Sequence, residues 1–337
     1  MGNVVIGTGS YLPARVVTNQ EIEMSGVDYD PARCGGLSLE QWGDKYLGGT
    51  SRHWVAPGED IADMAAEAGH RALVDAELTA GAVELIVMAT VSTHLPQTSA
   101  KVQARLRLGA KFIQLDSGCS GFVDALMVAD SLMNRHDYET ALVIAGDTAS
   151  QYLHPRHFMD LSVFGDGAGA AVLRRMHGSD YGLRSFSAGS DADLADYVTS
   201  GGGAGASGVS PEQAHYWRVQ FAKIYPWALD RYEKGIRQSV ERAGLTLDDV
   251  DWVVPHQAST RMVYEVADRL GMPRQKFVIT FERTGNVVAG SVAVALDEAN
   301  RERKFADGDW LVMPAVGAGM AWNAATCQWH DPHASRM

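Results

Sequence analysis

Three stretches of this chain carry side chains suited to covalent chemistry. The first is Ser117-Gly-Cys-Ser-Gly121, which joins the apolar, β-prone start of residues 113–126 to a helical pattern of Phe122, Ala125, Leu126, Ala129 and Leu132. A strand, a tight turn and a helix place Cys119 at or near a helix N-terminus, where unpaired N–H groups and the helix dipole favour a negative charge. A thiol so placed is expected to have a lowered pKa and more nucleophilic thiolate. A free cysteine by itself is more commonly a small buried residue; the small-residue turn and two downstream motifs argue otherwise. His256 lies in Val253-Val-Pro-His-Gln-Ala-Ser259, and Asn286 in Thr284-Gly-Asn-Val-Val-Ala-Gly-Ser291. The loop Gly317-Ala318-Gly319 follows a third apolar run. All four suspects sit where a buried strand ends, which is where open α/β sheets build their sites. Alone, His256 reads as a structural histidine and Asn286 as a left-handed turn residue.

The elements that must position them alternate. Residues 3–8, 83–91, 113–116, 140–148 and 164–173 read as strands, with amphipathic helices over 59–76, 99–106 and 122–132 between them. The runs Val83–Val91 and Thr140–Thr148 are nearly all apolar, as expected of strands covered on both faces. This order predicts a largely parallel sheet. Gly7-Thr-Gly9 lacks the third glycine and following helix of a dinucleotide fingerprint. Residues 185–215, with the Gly-rich 200–208, read as a surface excursion and a boundary. The logic then resumes: a long helix over 213–243, strands at 251–255, 277–280, 309–315 and 321–329, and helices at 261–270 and 291–301. Two halves, 1–178 and 179–337, repeat in element order.

Composition narrows the function classes. The 337 residues are 46% hydrophobic and 21% charged, with a net charge of −12, which opposes general nucleic-acid binding. No run of about 18 apolar residues predicts a membrane span, and the N-terminus has no basic region followed by an apolar one. Cys34, Cys119 and Cys327 are too widely spaced for a disulfide framework or a metal pair, so a reducing cytoplasm is expected. His53, His94, His154 and His157 show no metal spacing, and His154/His157 have no acidic or cysteine partner near in sequence to complete a ligand set. No metal and no cofactor is expected.

The chain resembles β-ketoacyl-acyl carrier protein synthase III, the condensing branch of the thiolase superfamily. The resemblance rests on Ile6-Gly-Thr-Gly-Ser-Tyr-Leu-Pro13, the Cys119 turn, Phe164-Gly-Asp-Gly-Ala-Gly-Ala-Ala-Val-Leu173, Val254-Pro-His-Gln-Ala258, Gly285-Asn286 with Ala295-Leu-Asp-Glu-Ala299, and Gly317-Ala-Gly-Met-Ala-Trp322. These run end to end in the family's order. The resemblance implies a thiolase fold: two pseudo-repeated halves in five layers, α-β-α-β-α. It implies a Cys119-His256-Asn286 triad, with Cys119 taking an acyl group from a thioester. His256 and Asn286 would bind the thioester carbonyl of a malonyl-type extender during decarboxylation. A neutral imidazole and an amide can each donate to an enolate oxygen, which a carboxylate cannot. The backbone N–H groups of Cys119 and Ala318 would form the oxyanion hole. Coenzyme A or acyl carrier thioesters would be the substrates, and the family implies a homodimer.

Departures from the family point to a specialised, secondary-metabolic member. Where the family carries an arginine after Trp42, this chain has Leu47, with Arg52 as a possible substitute in binding coenzyme A. The asparagine expected three residues after the histidine is Ser259, and residues 92–98 and 150–162 differ from the housekeeping sequence. Arg261 matches a carrier-docking arginine. One rival reading is acyl transfer to an alcohol, amine or thiol without decarboxylation. Others are a hydroxymethylglutaryl-type synthase, which lacks its extra acid or cysteine here, and a non-catalytic partner subunit, which would have lost Cys119.

Overall fold

The apolar runs assemble into two sheets that share a middle layer of helices. The structure is a computed structural model and describes residues 2–93, 97–200 and 215–331. His94 and nearly all of the Gly-rich stretch at 200–208 lie outside the described residues. In chain order the strands are β1 (Gly2–Tyr11), β2 (Arg15–Thr18), β3 (Ser51–Trp54), β4 (Leu85–Ala89), β5 (Lys111–Leu115), β6 (Thr140–Thr148), β7 (Asp166–Met176), β8 (Gly182–Ser190), β9 (Val198–Ser200), β10 (Trp217–Val219), β11 (Trp252–Val253), β12 (Trp310–Gly317) and β13 (Ala321–Gln328). The α-helices are α1 (Asn19–Met24), α2 (Leu39–Tyr46), α3 (Ile61–Asp75), α4 (Gln97–Leu106), α5 (Gly121–His136), α6 (Phe158–Val163), α7 (Phe221–Arg242), α8 (Thr260–Leu270), α9 (Phe281–Thr284) and α10 (Ser291–Arg301).

The first sheet has the order β1-β7-β6-β4-β5 and the second β11-β12-β13-β8. Every strand of the first precedes residue 177 and every strand of the second follows residue 181. The expectation of a largely parallel sheet is corrected. Only β4/β5, β4/β6 and β11/β12 are parallel; β1/β7, β6/β7, β12/β13 and β13/β8 are antiparallel. Antiparallel neighbours need only a return of the chain, whereas parallel ones need a crossover. An all-apolar run marks two-sided burial and not strand direction.

Burial on both faces follows from the layering. Along β4, Ile86 and Met88 face α3 and α4, while Leu85, Val87 and Ala89 face the middle layer, as the two-residue period of a strand requires. Helices α5 and α10 fill that middle layer between the sheets, through Leu126, Ala129, Val292 and Leu296. Helices α7 and α8 cover the far side of the second sheet with Tyr232, Ile236, Val263 and Val266. This is the five-layered α-β-α-β-α arrangement. Gly169 makes the inner packing close: a Cβ there would sit 2.5 Å from the Ala293 Cβ of α10. The Gly165/Gly167/Gly169 run thus belongs mostly to strand β7, not to a turn. Helix α7 starts at Phe221, later than read, because Trp217–Val219 pairs with Val198–Ser200. Ser38 and Gln41 form a capping box that starts α2.

Register brings the ends of the strands level. Ala89 lies beside both Leu115 and Ala145, so the segments after β4, β5 and β6 leave the first sheet at one edge. In the second sheet Val253 pairs with Val312, and the His256 N–H donates to the Pro314 carbonyl at 2.9 Å.

Candidate active site

The turn after β5 is held from both halves of the molecule. Ser117 Oγ and Ser120 Oγ donate to Asp124 Oδ2 at 2.5 and 2.9 Å. Asn323 Nδ2, from β13, donates to Asp124 Oδ1 at 2.7 Å and to the Ser120 carbonyl at 3.1 Å. A Cβ on Gly317 would lie 2.8 Å from the Cys119 nitrogen, so only glycine lets this loop close on the turn. The backbone N–H groups of Cys119 and Ala318 and the Asn286 side chain are thereby placed to favour the thiolate over the thiol.

The thiol pKa departs from the sequence expectation. Burial, then the nearby Asp147 carboxylate, push it up to about 12, against the three donors just named. Cys119 keeps part of its surface, but that surface opens onto an apolar pocket rather than onto bulk water, so desolvation dominates.

His256 is 1% exposed. Its carbonyl accepts from Tyr232 OH at 2.7 Å, and its Nδ1 is buried without a hydrogen-bond partner among the described residues. Burial pulls its pKa down to about 3, so the imidazole is neutral. Asn286 is fixed at backbone and side chain. Its N–H donates to the Val163 carbonyl at 2.8 Å, and its carbonyl accepts from Gly165 at 3.0 Å. Its Oδ1 accepts from the Val288 N–H at 2.8 Å; an N–H can donate only to the oxygen, which turns the NH₂ towards Cys119. Val288 adopts φ +44°, a strained conformation for a β-branched residue of the kind stored at functional sites.

One residue that sequence reasoning missed joins these turns. Asp147, at the end of β6, is fully buried. Its Oδ1 accepts from Thr90 Oγ1, the Val91 N–H, and the N–H and Oγ of Ser92, at 2.8–3.0 Å. Its Oδ2 accepts from the Ala289 N–H at 3.1 Å. Burial outweighs these bonds and pushes its pKa up to about 6. The available signal was a carboxylate closing an otherwise apolar strand.

Cys119, His256, Asn286, Gly317, Ala318 and Trp42 line one pocket of 460 Å³. Leu47 and Ser259, the two departures noted in the sequence, line it as well. Arg261 lies outside the lining, at the start of α8; its Nη2 donates to the Asp44 carbonyl at 3.0 Å and its N–H to the Leu47 carbonyl at 3.2 Å. The assignment of Arg52 to thioester binding is corrected. It is 1% exposed, and its guanidinium donates to Asn19 Oδ1 and the Ser162 and Val17 carbonyls. Its Cβ packs behind Gly165 and Gly285, so it braces the Asn286 turn from inside. His157 does have an acidic partner: its Nδ1 lies 2.7 Å from Asp160 Oδ2. No cluster among the described residues suits a metal ion.

Comparison with known proteins shows the family of the chain. Residues 113–192 match the family profile for 3-oxoacyl-(acyl-carrier-protein) synthase III, and residues 240–329 that for its C-terminal part. The β-ketoacyl-(acyl-carrier-protein) synthase III of Caldanaerobacter subterraneus is 33% identical over 332 residues, covering 96% of this chain and 97% of that protein. The crystal structure of 3-oxoacyl-(acyl-carrier-protein) synthase III from Aquifex aeolicus superposes with a TM-score of 0.88 at 29% identity, covering 97% of this chain and all of that one. The priming β-ketosynthase of the R1128 polyketide pathway gives 0.88 at 27% identity, covering 98% and 97%. The chain belongs to the β-ketoacyl-(acyl-carrier-protein) synthase III family of acyl-transferring condensing enzymes.

Proposed function

We propose that Cys119 is the nucleophile of a decarboxylative Claisen condensation, and that His256 and Asn286 serve the decarboxylating half-reaction. The observation that carries this is that Cys119, His256 and Asn286 line one pocket, with the Gly317–Ala318 loop closed onto the Cys119 turn and the buried histidine neutral.

In the first half, Cys119 Sγ attacks the carbonyl of an acyl-coenzyme A or acyl-carrier thioester. With the thiol pKa pushed up, its proton leaves only as attack proceeds. The oxyanion forms against the N–H groups of Cys119 and Ala318. Collapse breaks the donor C–S bond, and the departing thiolate takes the proton. In the second half, a malonyl-type thioester places its carbonyl between the His256 N–H and Asn286 Nδ2. Loss of carbon dioxide leaves an enolate whose charge those donors stabilise. Its carbon attacks the acyl-cysteine and returns the Cys119 thiolate, leaving a β-ketoacyl thioester. Splitting the reaction at the acyl-enzyme predicts ping-pong kinetics.

Arg261, exposed beside Leu47 at the pocket rim, is proposed to dock an acidic carrier. Arg261→Glu should weaken carrier-dependent turnover and spare loading from a small thioester; equal loss of both sinks the docking role. We further propose a homodimer paired through the open edge at β5, in a reducing cytoplasm where all three cysteines stay thiols. The specialised, secondary-metabolic assignment is proposed on the Leu47 and Ser259 positions.

Intact-mass measurement tests the central reading. Wild type incubated with acyl-coenzyme A and acyl-carrier thioesters should gain one acyl mass, absent in Cys119→Ala. Malonyl-carrier should then discharge it with release of carbon dioxide. Discharge only by an alcohol or amine would instead establish acyl transfer without decarboxylation.

A further inference from the structure

The pocket above Cys119 has two walls of different chemistry. One is built where α2 meets α8: Trp42, Tyr46, Leu47, Ser259 and Met262, joined through the bond from Thr260 Oγ1 to the Gly48 carbonyl at 2.9 Å. The other is built by the β9–β10 pair and the start of α7: Val198, Trp217, Val219, Phe221 and, from the loop before β7, Phe164. Trp217 stacks on Tyr152 with ring centroids 5.3 Å apart and planes 3° apart, and meets Phe164 edge-on at 5.8 Å. Tyr152 is itself anchored by its hydroxyl on the Ser92 carbonyl at 2.7 Å.

Among the described residues, the only polar side-chain group of the second wall is the Trp217 indole N–H; Val198, Val219, Phe221 and Phe164 present hydrocarbon. The polar tips of its surroundings are spent elsewhere: Tyr225 OH donates to Glu265, and Trp227 Nε1 to Asp191. A pantetheine arm carries two amides that cost free energy when buried unpaired. It is therefore better suited to the α2–α8 wall, where the Ser259 oxygen caps α8 by accepting from the Met262 N–H at 3.1 Å and its O–H is left to donate. The aromatic wall suits hydrocarbon. An acetyl group on Cys119 is too small to cover it, whereas a larger apolar acyl group removes that surface from water.

We propose that the acyl group carried by Cys119 is a bulky apolar one, medium-chain or aromatic, and that Trp217 is the residue that sets its size. This rests on the acyl-cysteine reading above. The donor thioester's C–S bond breaks, a C–S bond to Cys119 forms, and the donor leaves as a thiol with the cysteine's proton.

The test is competitive loading of wild type, Trp217→Ala and Trp217→Phe from equimolar acetyl-, octanoyl-, dodecanoyl- and phenylacetyl-coenzyme A, followed by intact mass. Wild type should load octanoyl or phenylacetyl over acetyl by roughly tenfold or more, the scale on which apolar pockets discriminate. Trp217→Ala should shift the preference towards a longer donor, dodecanoyl-coenzyme A, while Trp217→Phe keeps the wild-type order. Acetyl loading as fast as octanoyl overturns the proposal and leaves the acyl-cysteine reading intact. An unchanged chain-length profile in a folded Trp217→Ala overturns the role of Trp217. No adduct from any donor overturns the acyl-cysteine reading itself.

Discussion

Two cysteines of this chain sit in regions that differ in one respect. Cys327, in β13, is 2% exposed among the hydrocarbon side chains between the two sheets. Cys119 sits at the pocket, on the turn after β5. Burial pushes both thiols up to about 12. For Cys327 desolvation is the whole cause. For Cys119 two backbone N–H groups and an amide oppose it. A depressed resting pKa is therefore not what separates nucleophile from core thiol here. The separation lies in donors already aimed where negative charge develops, which cost no reorganisation during reaction.

That comparison can be broken at its strongest point. Cys119→Ala should show no acyl adduct by intact mass, while Cys327→Ala loads normally; an adduct surviving in Cys119→Ala would remove the distinction. Next, Asn286→Ala should slow malonyl decarboxylation by about 10²–10³-fold while the acyl-cysteine still forms. Equal loss of both half-reactions would mean that Asn286 only builds the turn.

Smaller effects sharpen the comparison by asking what holds the donors. Asp147→Ala leaves the donors from residues 90–92 and 289 without their acceptor, and should cost about 3 kcal/mol or more in denaturant unfolding. His256 supplies the pH test. Its pKa is lowered from 6.5 to about 3, so its contribution to stability is present above pH 6.5 and is lost as pH falls towards 3. His256→Gln should flatten stability against pH in that window, and wild-type decarboxylation should show no limb at the ordinary histidine pKa. Cys327→Ala comes last, at about 1 kcal/mol lost with kinetics unchanged.

The local pattern of the chain was sufficient for much of this. Small residues around Cys119, histidine and asparagine after apolar runs, and a glycine-flanked loop at 318 marked the suspects before any coordinates. All-apolar runs marked doubly covered strands, because burial on both faces leaves no polar side to alternate. These signals are short-range and survive in a linear reading. Strand direction, the pKa of Cys119, the interior place of Arg52 and the hub role of Asp147 were not legible. Each depends on what distant segments bring within a few ångströms: Asp147 acts because residues 90–92 and 289 meet it, and Arg52 because Asn19 and Ser162 do. Sequence alone determined which residue types stood at strand ends. Only the tertiary structure decided which of them converge, since desolvation and hydrogen bonding are properties of a filled space and not of a spacing.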